Sequence, residues 1–141
     1  MTRNLIASSI ATLLAAAMTT PLTIRDVAPA EAEALGALLV RAYSQLEGFP
    51  GPQEQPAYYD MLSNVARFAE RPGTRVLVAL GEEGRLAGGV VYFGDMASYG
   101  AGGEAMRLPH TSGIRLLGVD PARRGSGVGK ALTEACIALA R

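Results

Sequence analysis

An apolar strand that leads through a glycine-rich turn into a helix constrains the fold of this chain most. Residues 114–119 are predicted to form the strand and residues 128–140 the helix. Glycines alternate between them, at Gly125, Gly127 and Gly129. Glycine adopts backbone angles that other residues avoid, and the first N–H groups of a helix have no partner within it. This junction is therefore predicted to bind an anion, in particular a diphosphate.

Three cations, Arg123, Arg124 and Lys130, surround the same turn, but two common phosphate loops do not fit its spacing. A Walker A loop needs a glycine where Arg124 stands and Ser or Thr where Ala131 stands. A dinucleotide-binding turn of the Rossmann type needs a glycine at Lys130 and an acidic residue about 20 positions later. Both of these loop types are excluded.

The spacing that fits is Arg/Gln-x-x-Gly-x-Gly, found here at residues 124–129 after Val-Asp-Pro. This stretch resembles the acetyl-CoA loop of the GNAT superfamily of N-acetyltransferases. The alternative is a glycine-rich turn whose arginines only face solvent. The resemblance implies that N–H groups of residues 125–130 hold the diphosphate and that Arg124 adds a charge-assisted contact.

The resemblance also assigns roles to the strand before the loop. Backbone groups of Leu117 and Val119 would bond the pantetheine amides, as an added strand would. The N–H of Leu117 or of a neighbour would polarise the thioester carbonyl. The predicted residues for binding acetyl-CoA are Leu117, Val119, Arg124, Gly125, Ser126, Gly127, Val128, Gly129 and Lys130.

The rest of the chain predicts the element order of the same fold. Strands are expected over residues 22–26, 74–80, 86–94 and 112–119, with helices from Pro29 to about Leu46 and over 56–70. The order β-α-α-β-β-β-α resembles the amino-terminal two-thirds of a GNAT domain, without its usual C-terminal strands and helix. The expected fold is α/β (α+β), with a mixed, mostly antiparallel sheet flanked by helices. We expect the domain to span residues 21–141.

Residues 1–20 are predicted to be an extension that lies outside the core of this domain. They carry one charge, Arg3, and an apolar stretch over residues 5–18 that resembles a secretory signal. Ser8, Ser9 and Thr12 interrupt that stretch, and CoA is an intracellular cofactor. We therefore expect a cytoplasmic protein and an extension upstream of the natural start, and we expect removal of residues 1–17 to leave CoA binding unchanged.

Charge and cysteine content narrow the partners. The 13 acidic and 13 basic residues balance, which argues against nucleic acid and an anionic membrane as partners. Cys136 is the one cysteine in the sequence and is predicted to be a buried structural thiol. The sequence has no metal-binding spacing. We expect a small-molecule or peptide amine as acceptor, and the sequence leaves a homodimer open.

The function that the resemblance implies is an acyltransferase reaction, in which an acetyl group passes from acetyl-CoA to a primary amine. Some GNAT members use a Glu early in the fourth strand as base, and here Gly113 stands at that position. The side chains that could act as the base in its place are Glu104, His110, Tyr92 and Tyr99. Glu104 and Tyr99 are the retained candidates, although a solvated loop acid is the competing interpretation of Glu104.

The alternative is a non-catalytic acyl-CoA-binding fragment or pseudo-enzyme. Gly113 and the absence of the elements that follow the loop helix in a full GNAT domain favour it. On that basis we expect poor acetyl transfer from this chain alone. The sequence does not identify the acceptor amine.

Overall fold

The computed structural model describes residues 21–96 and 111–141. In these ranges four strands and three α-helices follow one another. They are β1 (Thr23–Asp26), α1 (Ala32–Ser44), α2 (Pro56–Ser63), β2 (Thr74–Leu80), β3 (Leu86–Phe93), β4 (Gly113–Val119) and α3 (Val128–Ala140). The predicted order β-α-α-β-β-β-α is confirmed.

The strands form one antiparallel sheet in the order β1-β2-β3-β4. Helices α1 and α2 cover one face, where Leu35, Leu62 and Val78 belong to the larger apolar core. Helix α3 covers the other face, where Leu132 and Cys136 pack against β2 and β3. The predicted, mostly antiparallel sheet with flanking helices is therefore confirmed. Within the described residues all of its strand pairs are antiparallel and β4 is an edge strand.

The second predicted helix is shorter than expected. Helix α2 ends at Ser63, and a 3-10 helix continues over Val65–Glu70. At the break the side-chain amide of Asn64 donates to the backbone oxygen of Asp60 at 2.8 Å, which is a carbonyl of the last helical turn. Asparagine competes in this way with regular helical bonding, and the sequence periodicity alone does not reveal it.

Strand β4 contains a β-bulge. Arg115 pairs with Val91 and Gly118 pairs with Gly89, so that Leu116 and Leu117 together face the single residue between those partners. Leu116 has φ +57°, a left-handed angle that is rare for a leucine, and its side chain is 4% exposed. Burial of this side chain in the core under α1 and α2 offsets a backbone strain of about 1–3 kcal/mol.

The bulge changes which way the side chains of β4 point. Leu116 packs into the core beneath α1 and α2, whereas Leu117 packs against the core beneath α3. Arg115 lies on the same face as Leu116, because its guanidinium contacts the sulfur of Met61 in α2. Two consecutive residues therefore share one face, as the extra residue of a bulge requires.

Substitution of Leu116 tests the strain at the bulge. Leu116→Ala should cost about 2–5 kcal/mol of unfolding free energy because it empties a buried site. Leu116→Gly should be at least as stable as Leu116→Ala, because glycine adopts a positive φ without strain. Urea unfolding measures both. At Val78, which is fully buried in β2, Val78→Ala should instead be more stable than Val78→Gly. If Leu116→Ala is also more stable than Leu116→Gly, the result would contradict a strained bulge.

Candidate functional site

The turn between β4 and α3 is held in place by its own hydrogen bonds. The side chain of Asp120 accepts from the N–H of Ala122 at 3.0 Å, and its backbone oxygen accepts from the N–H of Arg123 at 2.8 Å. The hydroxyl of Ser126 in turn donates to the backbone oxygen of Arg123. These bonds fix the path of the chain before it reaches the helix.

The glycines of this turn adopt the angles that the prediction requires. Gly125 has φ +82° and Gly127, the N-cap of α3, has φ +86°. A Cβ built on either residue would find no atom of the described residues within 4 Å. As far as the described residues go, the space in front of the turn is therefore open, and the N–H groups of the first turn of α3 have no helical acceptor. This arrangement fits a diphosphate.

The three cations beside the turn have different surroundings. The guanidinium of Arg124 donates to the backbone oxygen of Ala42 in α1 at 3.4 Å, which ties the loop to the C-terminal end of that helix. The guanidinium carbon of Arg123 would lie 3.2 Å from a Cβ on Gly81, at the turn between β2 and β3. The Lys130 side chain is 81% exposed and lies 3.9 Å from Glu134.

The residues predicted to bind acetyl-CoA form one continuous strip from β4 into α3. Leu117 and Val119 lie on the edge strand, and residues 124–130 follow it. Val119 approaches the start of the helix, since its Cγ2 would lie 3.5 Å from a Cβ on Gly129. Within the described residues no strand lies beyond β4, and the outer side of an edge strand is where an added strand pairs.

Tyr43 lies at this edge but was not among the site residues predicted from the sequence. Its hydroxyl donates to the backbone oxygen of Leu117 at 3.1 Å. Burial and the neighbouring Tyr58 raise the pKa of Tyr43 to about 12, so the hydroxyl remains protonated at neutral pH and can donate. Tyr43 follows Leu39 by four residues, so the sequence indicates that it lies near the apolar face of α1. The sequence does not indicate that its hydroxyl has a partner on β4.

An aromatic cluster surrounds this tyrosine. It consists of Tyr43, Phe49 and Tyr58, whose ring centroids lie 5.4 to 6.0 Å apart. The Phe49 side chain is 37% exposed. Arg115 on β4 is close to the cluster: its guanidinium lies 3.9 Å from the Met61 sulfur, and its charge lowers the pKa of Tyr43 against the larger effect of burial. Aromatic surface and one cation thus adjoin the bulge.

Most of the side chains predicted to act as the base lie outside the described residues. Glu104, Tyr99 and His110 lie outside the described residues. Gly113 is the first residue of β4, so the position of the expected base carries no side chain. Tyr92 is buried, and its hydroxyl lies 3.1 Å from the hydroxyl of Ser112.

Tyr92 and Cys136 line a cavity of about 200 Å³ between the start of β4 and α3. This cavity lies on the face of the sheet opposite the aromatic cluster. Burial raises the pKa of the Cys136 thiol, which is only 3% exposed. A thiol that remains protonated is a poor nucleophile, and this agrees with the structural role predicted for Cys136.

Two kinds of site are absent from the part of the chain that the structure describes. Residues 21–96 and 111–141 contain no group of three or more His, Cys, Asp or Glu side chains that could hold a metal ion. No helix in these ranges is both long and apolar enough to span a membrane.

Solved structures with the same fold are numerous. A Brucella melitensis GNAT family acetyltransferase in complex with acetyl-CoA is 21% identical, with a TM-score of 0.61, over 86% of this chain and 69% of that one. A Staphylococcus aureus GNAT acetyltransferase is 15% identical, with a TM-score of 0.59, over 85% and 66%. A GCN5-related N-acetyltransferase from Kribbella flavida is 23% identical, with a TM-score of 0.54, over 84% and 64%.

The chain thus spans slightly less than two thirds of the Staphylococcus aureus and Kribbella flavida structures. No curated protein matches its sequence. The sequence profile of the acetyltransferase (GNAT) family, in contrast, matches residues 35–141. That match covers most of the chain and includes the strand, the glycine turn and the helix of the candidate site, so the chain belongs to the GNAT family of acetyltransferases.

Proposed function

We propose that this chain binds acetyl-CoA along β4 and the turn at residues 124–130, and transfers the acetyl group to a primary amine of a small molecule or peptide. The observation that carries the proposal is the open glycine turn at the start of α3, with φ +82° at Gly125 and φ +86° at Gly127. Family membership supports the chemistry, because acetyl-CoA is the cosubstrate of GNAT acetyltransferases. The Brucella melitensis structure contains it.

Each part of the strip has a proposed task. The N–H groups of residues 125–130 hold the diphosphate, and the positive end of α3 favours its charge. Arg124 adds a charge-assisted contact from a position fixed by Ala42. The backbone groups of Leu117 and Val119 pair with the pantetheine amides, and the N–H of Leu117 or of a neighbour polarises the thioester carbonyl.

Acetyl-CoA supplies a thioester whose acyl carbon is the electrophile. The acceptor must lose a proton before attack, and Gly113 offers no side chain to take it, so we assign that proton to water. The neutral amine nitrogen forms the C–N bond while the C–S bond breaks. The sulfur leaves as a thiolate, and the proton that the nitrogen loses in becoming an amide is taken up by that thiolate. The chain contributes position and hydrogen bonds to this reaction.

We further propose that residues 21–141 form the domain and that residues 1–20 are an extension to it. The balance of 13 acidic and 13 basic residues supports a small amine acceptor over nucleic acid or an anionic membrane. The intracellular location of CoA supports the cytoplasm as the site of action.

The test is release of free thiol from acetyl-CoA in the presence of a panel of primary amines, with the acetylated product identified by mass spectrometry. We expect amine-dependent release above the rate of acetyl-CoA hydrolysis alone. CoA binding without amine-dependent release would support the second candidate, a non-catalytic acyl-CoA-binding protein. That candidate is favoured by one observation, the glycine at the expected position of the base.

A further inference from the structure

We propose that Tyr43 positions the reacting end of acetyl-CoA, because its hydroxyl occupies the carbonyl oxygen of Leu117 and leaves that point of β4 to a group that only accepts hydrogen bonds. The thioester carbonyl is such a group, whereas the pantetheine amides also donate. This inference rests on the proposed function, because it names a positioning residue for that same site.

The carbonyl group of Leu117 points away from β3. The N–H of Asp120 donates to the backbone oxygen of Ala87 at 2.8 Å. Two residues earlier, Gly118 pairs with Gly89 in the same register. Hydrogen-bonded pairs alternate with pairs that lack these bonds in an antiparallel ladder, so Gly118 directs its N–H toward β3. In a trans peptide group the C=O and the N–H point in opposite directions, so Leu117 directs its carbonyl to the outer side of β4.

The Tyr43 hydroxyl satisfies this outward carbonyl. It donates to the oxygen of Leu117 at 3.1 Å. Burial and the neighbouring Tyr58 raise the pKa of Tyr43 to about 12, so the proton of this bond stays in place at neutral pH. A further donor at the same oxygen would have to share it with the half-buried hydroxyl. The oxygen of Leu117 is therefore a poor acceptor for an added chain.

Val119, in contrast, suits an amide. The same alternation places Val119 and Gly88 in a pair without ladder bonds, so the N–H and the C=O of Val119 both face the outer side of β4. No strand of the described residues lies there. An amide both donates and accepts, and it therefore fits Val119 better than Leu117. This assignment narrows the pairing proposed for both residues, with an amide at Val119 and the thioester beside Leu117.

Helix α1 holds Tyr43 close to this strand. A Cβ at Gly118 would overlap the Leu39 side chain, so α1 packs closely on β4. One residue before Tyr43, the backbone oxygen of Ala42 accepts from the guanidinium of Arg124 at 3.4 Å. The last turns of α1 therefore contact both the bulge and the loop proposed for the diphosphate. They fix the position of the thioester relative to that of the diphosphate.

The test removes the Tyr43 hydroxyl and follows the thioester carbonyl directly. Acetyl-CoA labelled with ¹³C at the acetyl carbonyl is bound to the parent chain and to Tyr43→Phe, and infrared difference spectra give its carbonyl stretch. A hydrogen bond lowers this frequency, so the band in the parent chain should lie below that of free acetyl-CoA. In Tyr43→Phe the oxygen of Leu117 becomes an acceptor for an amide N–H. A second register of the cosubstrate then competes, and the band should return toward the free value or split.

Tyr59→Phe is the matched control, since the Tyr59 hydroxyl also donates to a backbone oxygen, that of Pro50 in the loop between α1 and α2, at 2.7 Å. Both variants lose one such bond and should melt a few degrees below the parent chain. Tyr59→Phe should retain the parent band. Incorporation of 4-aminophenylalanine at position 43, which keeps a donor in the same place, should retain it as well.

The positioning role is overturned by a parent band at the free frequency, by an unchanged band in Tyr43→Phe, or by an equal change in Tyr43→Phe and Tyr59→Phe. A Tyr43→Phe chain that does not fold would also overturn it and assign the bond to stability. Calorimetric titration of CoA keeps the two proposals apart, and Tyr43→Phe should bind CoA as tightly as the parent chain does. A parent chain that does not bind CoA would refute the proposed function and this role with it.

Discussion

Replacement of Gly127 by valine is expected to lower the affinity for CoA by about a hundredfold or more. Gly127 caps α3 with φ +86°, and a side chain there would project into the open space proposed for the diphosphate. Each hydrogen bond to a charged group contributes about 1.5–3 kcal/mol, so displacement of two such bonds reaches this size. Calorimetric titration of CoA into both proteins measures the effect.

A valine at φ +86° also strains the backbone, and Gly84→Val is the matched control for that strain. Gly84 has φ +72° in the turn between β2 and β3, and a Cβ there likewise meets no atom of the described residues within 4 Å. Both variants should lose a similar amount of thermal stability. Only Gly127→Val should lose CoA affinity. Equal CoA affinity in Gly127→Val and the parent chain would refute the proposed diphosphate site.

The second large effect is expected from Gly36→Ala, which should cost about 2–3 kcal/mol of unfolding free energy. Gly36 lies in the buried face of α1, where a Cβ would overlap the backbone oxygen of Ser63 and lie 2.8 Å from its carbonyl carbon. The obstacle is backbone, so α1 and α2 must move apart and the core between them loses contacts. The helix propensity of alanine, about 1 kcal/mol better than that of glycine, offsets only part of this cost.

Urea unfolding and thermal melting measure this loss, and Gly51→Ala provides the control. A Cβ at Gly51 would meet no atom of the described residues within 4 Å, and its φ is not positive, so this substitution should change stability little. Wider separation of α1 and α2 should also move Tyr43 and Tyr58 apart, since the two rings lie on different helices. A stable Gly36→Ala variant would contradict the close approach of the helices.

The strands and the last helix could be predicted from the sequence because each obeys a simple period. Residues 74–80 were expected to form a strand and do so, and the helix at Val128–Ala140 has the predicted bounds. The glycine turn could be predicted for a different reason, since glycine adopts a positive φ without steric cost and glycines between a strand and a helix therefore indicate a turn. The binding roles assigned to that turn stay predictions.

The bulge and the aromatic cluster could not be predicted in the same way. An apolar run such as residues 114–119 gives no sign that Leu116 adopts a positive φ, because only its burial in the folded core offsets the strain of that angle. The contact between Tyr43 and Leu117 joins residues 74 positions apart. Contacts of this kind depend on how α1 is seated on β4, which is a tertiary property. The hydrogen bond from the Asn64 side chain to the backbone oxygen of Asp60 lies at the end of α2. It is local in sequence, but the period of the apolar residues does not indicate it.

The position of Arg123 above Gly81 links two turns that are distant in sequence. Its guanidinium carbon would lie 3.2 Å from a Cβ at position 81. The Arg123 side chain at the start of the glycine loop therefore packs against the hairpin turn, in the space that a side chain at position 81 would need. A larger residue at position 81 would displace the Arg123 side chain. Among homologous sequences, the sizes of the residues at these two positions should therefore vary together, with a long side chain at 123 accompanying glycine at 81.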